Sequence, residues 1–176
     1  MIGDERFHPD TRALLAFGRA LAGQPAPPKR QGADHVLERL LILERCADGR
    51  WPLRSFGAEL TALFGRDLKD QDFASLWLEP DWALVTALAG AALAAEEPGI
   101  ARAKAETACG RLLGLEILIT PLKVEAAFGE RYLGMLQPLG GEAFLEGRPL
   151  VRLRLVSLHP PPAKTPPRVR LVVTNP

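Results

Sequence analysis

Between Leu112 and Leu122 the chain alternates: Leu113, Leu115, Ile117 and Ile119 fall on one parity, Glu116 and Thr120 on the other. That period of two is the signature of a strand with one buried face. Apolar runs at residues 100–109 and 131–139 predict two further strands beside it. Upstream, residues 40–46 and 51–56 are apolar runs separated by Ala47-Asp48-Gly49-Arg50, a hairpin with Asp48-Gly49 at its turn. Between these two groups the period lengthens. Leu60, Leu63 and Phe64 share one side of a short helix that Gly65 ends, and residues 73–78 form a single turn. Residues 82–95 are almost unbroken apolar or small, opened by Pro80-Asp81 and stopped by Pro98-Gly99. Trp82, Val85, Leu88 and Ala92 recur there at helical spacing, while Ala89, Gly90 and Ala91 allow a neighbour to come close. The order is two strands, three helices, three strands. Such segregation predicts an α+β fold: a five-stranded antiparallel sheet with its helices on one face.

Prolines divide the chain. Pro25, Pro27 and Pro28 set off residues 1–28, and a second proline-rich stretch breaks up residues 141–176, leaving a core at 29–140. In the first segment, Pro9–Leu21 reads as an amphipathic helix with Leu14, Phe17 and Leu21 on one face. The spacer lets such a helix stand away from its sheet and pair with a second copy, so these three residues are the expected homodimer interface. Packing of the same face on its own sheet is the competing arrangement. From Gly140 onward six basic residues face two acidic ones, net +4, which leaves −3 on residues 1–139 of a chain whose total is +1. Residues 150–158 and 168–173 read there as a short β tail, with arginines that protect an edge or meet an acidic partner.

Composition changes the picture mainly by exclusion. A chain of 176 residues that is 47% hydrophobic and 24% charged buries a real core. A net charge of +1 gives no large basic field, which argues against a dedicated nucleic-acid binder. The apolar run at 82–95 falls short of the ~20 residues that a bilayer requires, so no membrane span is expected. Two cysteines make neither a disulfide framework nor a zinc site, and the opening MIGDERF carries no secretory signal. A cytoplasmic protein is the expectation.

Several short patterns then occur in one order: HPDTRALLAFGRALAG, RSFGAELTALFGRDLKDQ, LWLEPD, LLGLEILITPLK and RYLGMLQPL. Together, from His8 to Leu139, they resemble the stand-alone PAS-domain proteins of alphaproteobacteria. Phe17 stands where that family often has a tryptophan, which keeps an aromatic anchor. The resemblance implies a PAS fold and sensing or regulation through protein contacts. It implies no particular cofactor, and function has to be argued from the site.

Haem ligation on the long helix fails, since His8, His35 and His159 all lie outside residues 50–109. His8 is expected to cap the first helix and His35 to begin a turn. A covalent flavin adduct fails too: Cys46 and Cys109 fall on predicted strands as small buried hydrophobes, with no Asn-Cys-Arg-like segment. Asp67, Asp70, Asp72, Glu79 and Asp81 lack the spacing of a calcium loop and read as a solvated loop with helix caps, so no metal is expected. The Arg45-x-x-Asp48 string sits at a turn and carries no weight. Ser55, Ser75 and Ser157 lack a nucleophile elbow, and His159 follows Ser157 into prolines. Glu116, the one mid-strand carboxylate worth following, is expected to face solvent.

What remains is the interior. Phe64, Trp77, Val85, Leu88, Ile117, Ile119 and Met135 line the expected cavity, either as an apolar ligand site or, the weightier reading, as filled core. The leading expectation is a regulatory adaptor that works with an unknown signalling protein, holds no cofactor, and admits at most a small apolar ligand. The alternative is a small enzyme acting on a hydrophobic substrate in the same cavity. An enzyme requires a buried ionisable group there; an adaptor does not.

Overall fold

The computed structural model describes residues 4–21, 34–123 and 129–162. Helix α1 (Pro9–Leu21) and the short α2 (Asp34–Leu37) precede strands β1 (Leu40–Arg45) and β2 (Leu53–Phe56). Then come α3 (Ala58–Phe64), a 3-10 turn (Phe73–Leu76) and α4 (Asp81–Ala95). Strands β3 (Gly99–Thr107), β4 (Leu112–Leu122), β5 (Glu130–Pro138) and β6 (Leu150–His159) complete the order. All strand pairs are antiparallel, and the sheet runs β2-β1-β5-β4-β3-β6. The five expected strands are present, and the first stretch of the tail adds a sixth. The second stretch, 168–173, lies outside the described residues.

Local chemistry sets the boundaries. At the β1–β2 hairpin Gly49 takes a φ of +85° and its N–H donates to the Cys46 carbonyl at 3.0 Å. Gly65 ends α3 in the left-handed region, as its position predicts. Helix α4 stops at Glu96, earlier than Pro98-Gly99, and Gly99 instead opens β3. A Cβ on Gly99 would lie 2.8 Å from Leu88 Cδ1, so strand and helix meet at backbone range there. The β3–β4 connection is also tighter than expected. Gly110, at φ +83°, donates to the Thr107 carbonyl at 2.9 Å and ends β3 at Thr107. Cys109 is therefore an exposed turn residue, and Cys46 lies just past β1; neither is a buried strand hydrophobe.

Both faces of the sheet carry helices. The front face carries α3, the 3-10 turn and α4, packed over Leu41, Leu43, Leu113, Leu115, Ile117, Ile119 and Leu153. The back face carries α1, whose Leu14 and Leu15, with Phe7 just ahead of the helix, cluster with Ile100, Leu118, Leu133 and Met135. Helices thus lie on two faces where the segregated order predicts one, and α1 does not stand away from its sheet. The physical reason is in the strands: Leu118, Leu133 and Met135 give the back an apolar patch that water would otherwise meet. Gly18 lets α1 sit close, since a Cβ there would lie 2.7 Å from Pro98 Cγ and 3.0 Å from Thr120 Oγ1.

The two edge strands are blunted. Along β6, Leu78 donates to the Leu153 carbonyl at 3.1 Å, and the Leu155 N–H donates to Asp81 at 2.8 Å. Along β2, the Leu53 carbonyl accepts from Asp70 at 2.8 Å, and its N–H donates to Gln71 at 3.0 Å.

Candidate functional site

On the front face Phe64, Trp77, Val85, Leu88, Ile117 and Ile119 belong to one interior cluster, as expected. Met135 does not. Its neighbours in sequence are apolar on both sides, so parity there is silent, and the register turns it to the back face under α1. The interior also holds a chain of rings that periodicity alone does not single out. Trp51 meets Tyr132 at 5.0 Å and Trp82 at 5.7 Å, and Phe73 links Trp82 to Trp77 at 6.0 and 5.9 Å. A void with room for a large guest would leave these side chains accessible from within. Trp77 is 6% exposed and the other five cluster residues 2% or less, so side chains fill the space. The indole N–H of Trp77 is buried there without a hydrogen-bond partner. Burial pushes the Tyr132 hydroxyl up to about 12, with the Glu130 carboxylate adding to it.

The back face carries the charge. Glu116 is fully buried, which corrects the expectation that it faces solvent. Its Oε1 accepts from Arg102 Nη2 at 2.9 Å and Nε at 3.2 Å; its Oε2 accepts from the His8 N–H at 2.9 Å. Arg102 Nη2 also donates to the Arg6 carbonyl at 2.6 Å. The Arg6 and Arg102 guanidiniums lie over the Phe7 ring, 4.7 and 5.5 Å from its centre, with His159 edge-on at 5.2 Å. His8 caps α1 as predicted, its Nδ1 accepting from the Asp10 N–H at 3.2 Å. A second anchor lies nearby: Arg39 pairs with Glu59, donates to Gln137 Oε1 at 3.0 Å, and comes within 3.8 Å of Asp10 on α1. A carboxylate bound on both oxygens by a guanidinium and a backbone amide is an anchor for the entry to α1 rather than a proton carrier. The legible signal for Arg102 was its place among the alternating alanines of β3.

Of the residues expected at a dimer interface, Leu14 is buried against the chain's own sheet and Phe17 is half exposed; the side chain of Leu21 lies outside the described residues. The acidic loop does capping and pairing work. Asp72 accepts from the Trp51 and Ala74 N–H groups, Asp67 from Lys69, and Asp70 pairs with Arg54 at 2.6 Å.

Two surface features remain. An open cleft of about 320 Å³ lies between Ala62 and Leu63 of α3, Arg39, and the loop bearing Glu142, Leu145 and Arg148. In the β3–β4 turn, Cys109 Sγ shares a hydrogen bond with Thr107 Oγ1 at 3.2 Å. That contact, with smaller help from the Arg111 N–H and from Arg148, brings the thiol down to about 7.

Comparison with known proteins places this arrangement. No curated protein matches the chain. Among solved structures it is similar to a fungal LOV-domain photoreceptor at 15% identity, covering 78% of this chain and 100% of that one with a TM-score of 0.50. It is also similar to the dark structure of the blue-light photoreceptor Aureochrome1 LOV, at 11% identity over 70% of this chain and 92% of that one, with a TM-score of 0.45. The sequence profile of the PAS domain matches residues 6–137, a span that begins at Arg6 and so takes in helix α1. The chain belongs to the PAS domain family.

Proposed function

We propose that this protein is a sensory or regulatory PAS module that acts through contacts with another protein. One observation carries the reading against a small enzyme. Glu116 is the only fully buried charged side chain among the described residues, and it sits on the back of the sheet, already bound by Arg102 and His8. Among the described residues no other carboxylate, and no imidazole or amine, is fully buried. The one ionisable group of the front cluster, the Tyr132 hydroxyl pushed up to about 12, stays protonated at neutral pH, so a general base for an enclosed substrate is missing. Neither cysteine belongs to that cluster, so the blue-light role of the LOV proteins is not part of the proposal. A small apolar guest enters only by displacing side chains, and Trp77 offers it one free donor. No helix of the described residues is long and apolar enough to cross a membrane, which fits a partner met in solution.

Purification from the native host, with mass spectrometry of proteins and extracted small molecules, tests the reading. A stoichiometric protein partner and a colourless preparation are expected; turnover of a hydrophobic substrate without any partner contradicts it. Self-association belongs to the same proposal, with Phe17 as the exposed apolar contact on α1. Light scattering of wild-type and F17D protein checks it: a dimer that becomes monomeric supports the contact, and a mass unchanged by the substitution contradicts it.

A further inference from the structure

The back of the sheet can be followed in rows that cross its strands. One row is Gln137, Glu116, Arg102 and Ser157, from β5 through β4 and β3 to β6. His8 closes over it and α1 continues from there toward Thr120 and Pro98. Two residues further along β3, away from α1, the next row is Leu139, Gly114, Lys104 and Arg154. Here nothing covers the sheet among the described residues: Leu139, Lys104 and Arg154 are exposed, and a Cβ on Gly114 would meet only Leu139, at 3.6 Å. Leu112, half exposed, lies beside this row, across from Glu106.

The charges in the open row are unusual. Lys104 and Arg154 stand directly opposite each other on neighbouring strands, an arrangement that costs stability when both are cationic. Neither makes an ion pair among the described residues. Glu106, the carboxylate on that stretch of β3, is held by two bonds from Arg152, at 2.9 and 3.1 Å. Elsewhere on the sheet, arginines meet carboxylates: Arg102 with Glu116, Arg54 and Arg131 with Glu44, Arg45 with Glu130. Glu106 feels the charge of Arg154 as well as that of Arg152 but is hydrogen-bonded to Arg152, so this stretch keeps a cationic excess beside two exposed leucines and a side-chain-free glycine.

We infer that this open half of the back face docks an acidic amphipathic helix of a partner protein. A helix fits better than a strand, because both edges of the sheet are already taken by Leu78–Asp81 and Asp70–Gln71. Strands lie about 4.8 Å apart, so the row spans roughly 14 Å and about ten helical residues cross it. The partner's apolar positions rest on Leu139 and Gly114, and its carboxylates fall over Lys104 and Arg154. A nucleic acid fits worse: the row offers no aromatic platform for bases, and Glu106 lies beside it.

The inference rests on the protein's being a contact-making module and adds the chemistry of the contact. The probes are two synthetic 14-residue peptides with the same leucine face, one with a glutamate polar face and one with lysine. Titrated into the isotopically labelled full chain, the glutamate peptide should bind at least about tenfold more tightly. It should shift the amides of Lys104, Gly114, Leu139 and Arg154, and weaken as salt rises. K104E/R154E should reverse the preference, and G114L, which fills the depression without touching charge, should weaken both peptides. Equal affinity for the two peptides overturns the inference, as do shifts mapped elsewhere or tighter binding of a ten-base single strand at these amides. A native partner that co-purifies undiminished with K104E/R154E overturns the patch alone and leaves the regulatory reading standing.

Discussion

The two faces of this sheet bury apolar patches of very different size, a large one in front and a small one behind, and by different means. The front is closed by three elements over a large apolar cluster, so its stability is mainly a matter of packing, with Asp81 on the Leu155 N–H and Asp72 on the Trp51 N–H as polar ties. The back is closed by one helix, and that helix is tied down through charge: Glu116 to Arg102 and His8, and Arg39 to Gln137 with Asp10 within reach. An apolar seam tolerates sliding, whereas a buried carboxylate with directional partners holds one register. Helix α1 is therefore specified by the residues at its entry more than by its apolar stripe. It also separates a covered half of the back face from an open half.

Breaking the charge anchor has the largest expected effect, and it is asymmetric. Arg102→Met strands a carboxylate that has no access to water, and should cost about 3–5 kcal/mol in urea unfolding. Glu116→Leu strands a guanidinium that is one-third exposed and keeps the Arg6 carbonyl, so about 1–3 kcal/mol is expected. Equal losses would contradict the burial described for Glu116. Next comes packing under α1. Leu14→Ala should cost about 2–4 kcal/mol, and Phe17→Ala, on the exposed side, within about 0.5 kcal/mol. A reversed order would place α1 away from the sheet.

A pH effect should be smaller. Burial, and then the charges of Arg6 and Arg102, hold His159 below its ordinary value of 6.5. The folded chain therefore takes up this proton later than the unfolded chain. The contribution is complete above about pH 6.5 and is lost as pH falls through the folded value. In urea titrations between pH 7 and 5, His159→Gln should flatten part of the acid-side decline. An unchanged slope would remove His159 from the group around Phe7. The smallest effect is local: the alkylation rate of Cys109 should rise with a midpoint at about pH 7, and Thr107→Val should move that midpoint upward. A wild-type midpoint near the free-thiol value of about 8.5 would contradict the turn geometry.

The front face was legible because its signals are periodic. The alternation of β4, the helical spacing of Val85 and Leu88, and the stops at Gly49 and Gly65 all map onto elements. Most of the back was not, since alternation identifies an apolar face without saying what lies on the other. Glu116 reads as solvent-facing until one notices that Leu118, two residues on, shares its parity, and that Leu133 and Met135 on β5 add to the same side. Near-continuous apolar strands of this kind mean two covered faces. For Met135 the run Leu133-Gly134-Met135-Leu136 gives no parity, and only the pairing with β4 assigns its side. For Cys109 the neighbouring Gly110 was the available sign of a turn. The anchor itself joins residues 108 positions apart, a contact that no local pattern carries.

Amide hydrogen exchange on the full chain tests the docking of α1 most directly, because it reads each hydrogen bond of the helix separately. The amides of Leu14, Leu15 and Gly18, and the His8 amide bound to Glu116, should be protected in wild type. In Arg102→Met they should lose about a hundredfold of that protection while Leu115 and Ile117 in the centre of the sheet lose less. Exchange of the α1 amides at free-peptide rates in wild type, or loss that is uniform across helix and sheet, would contradict that docking.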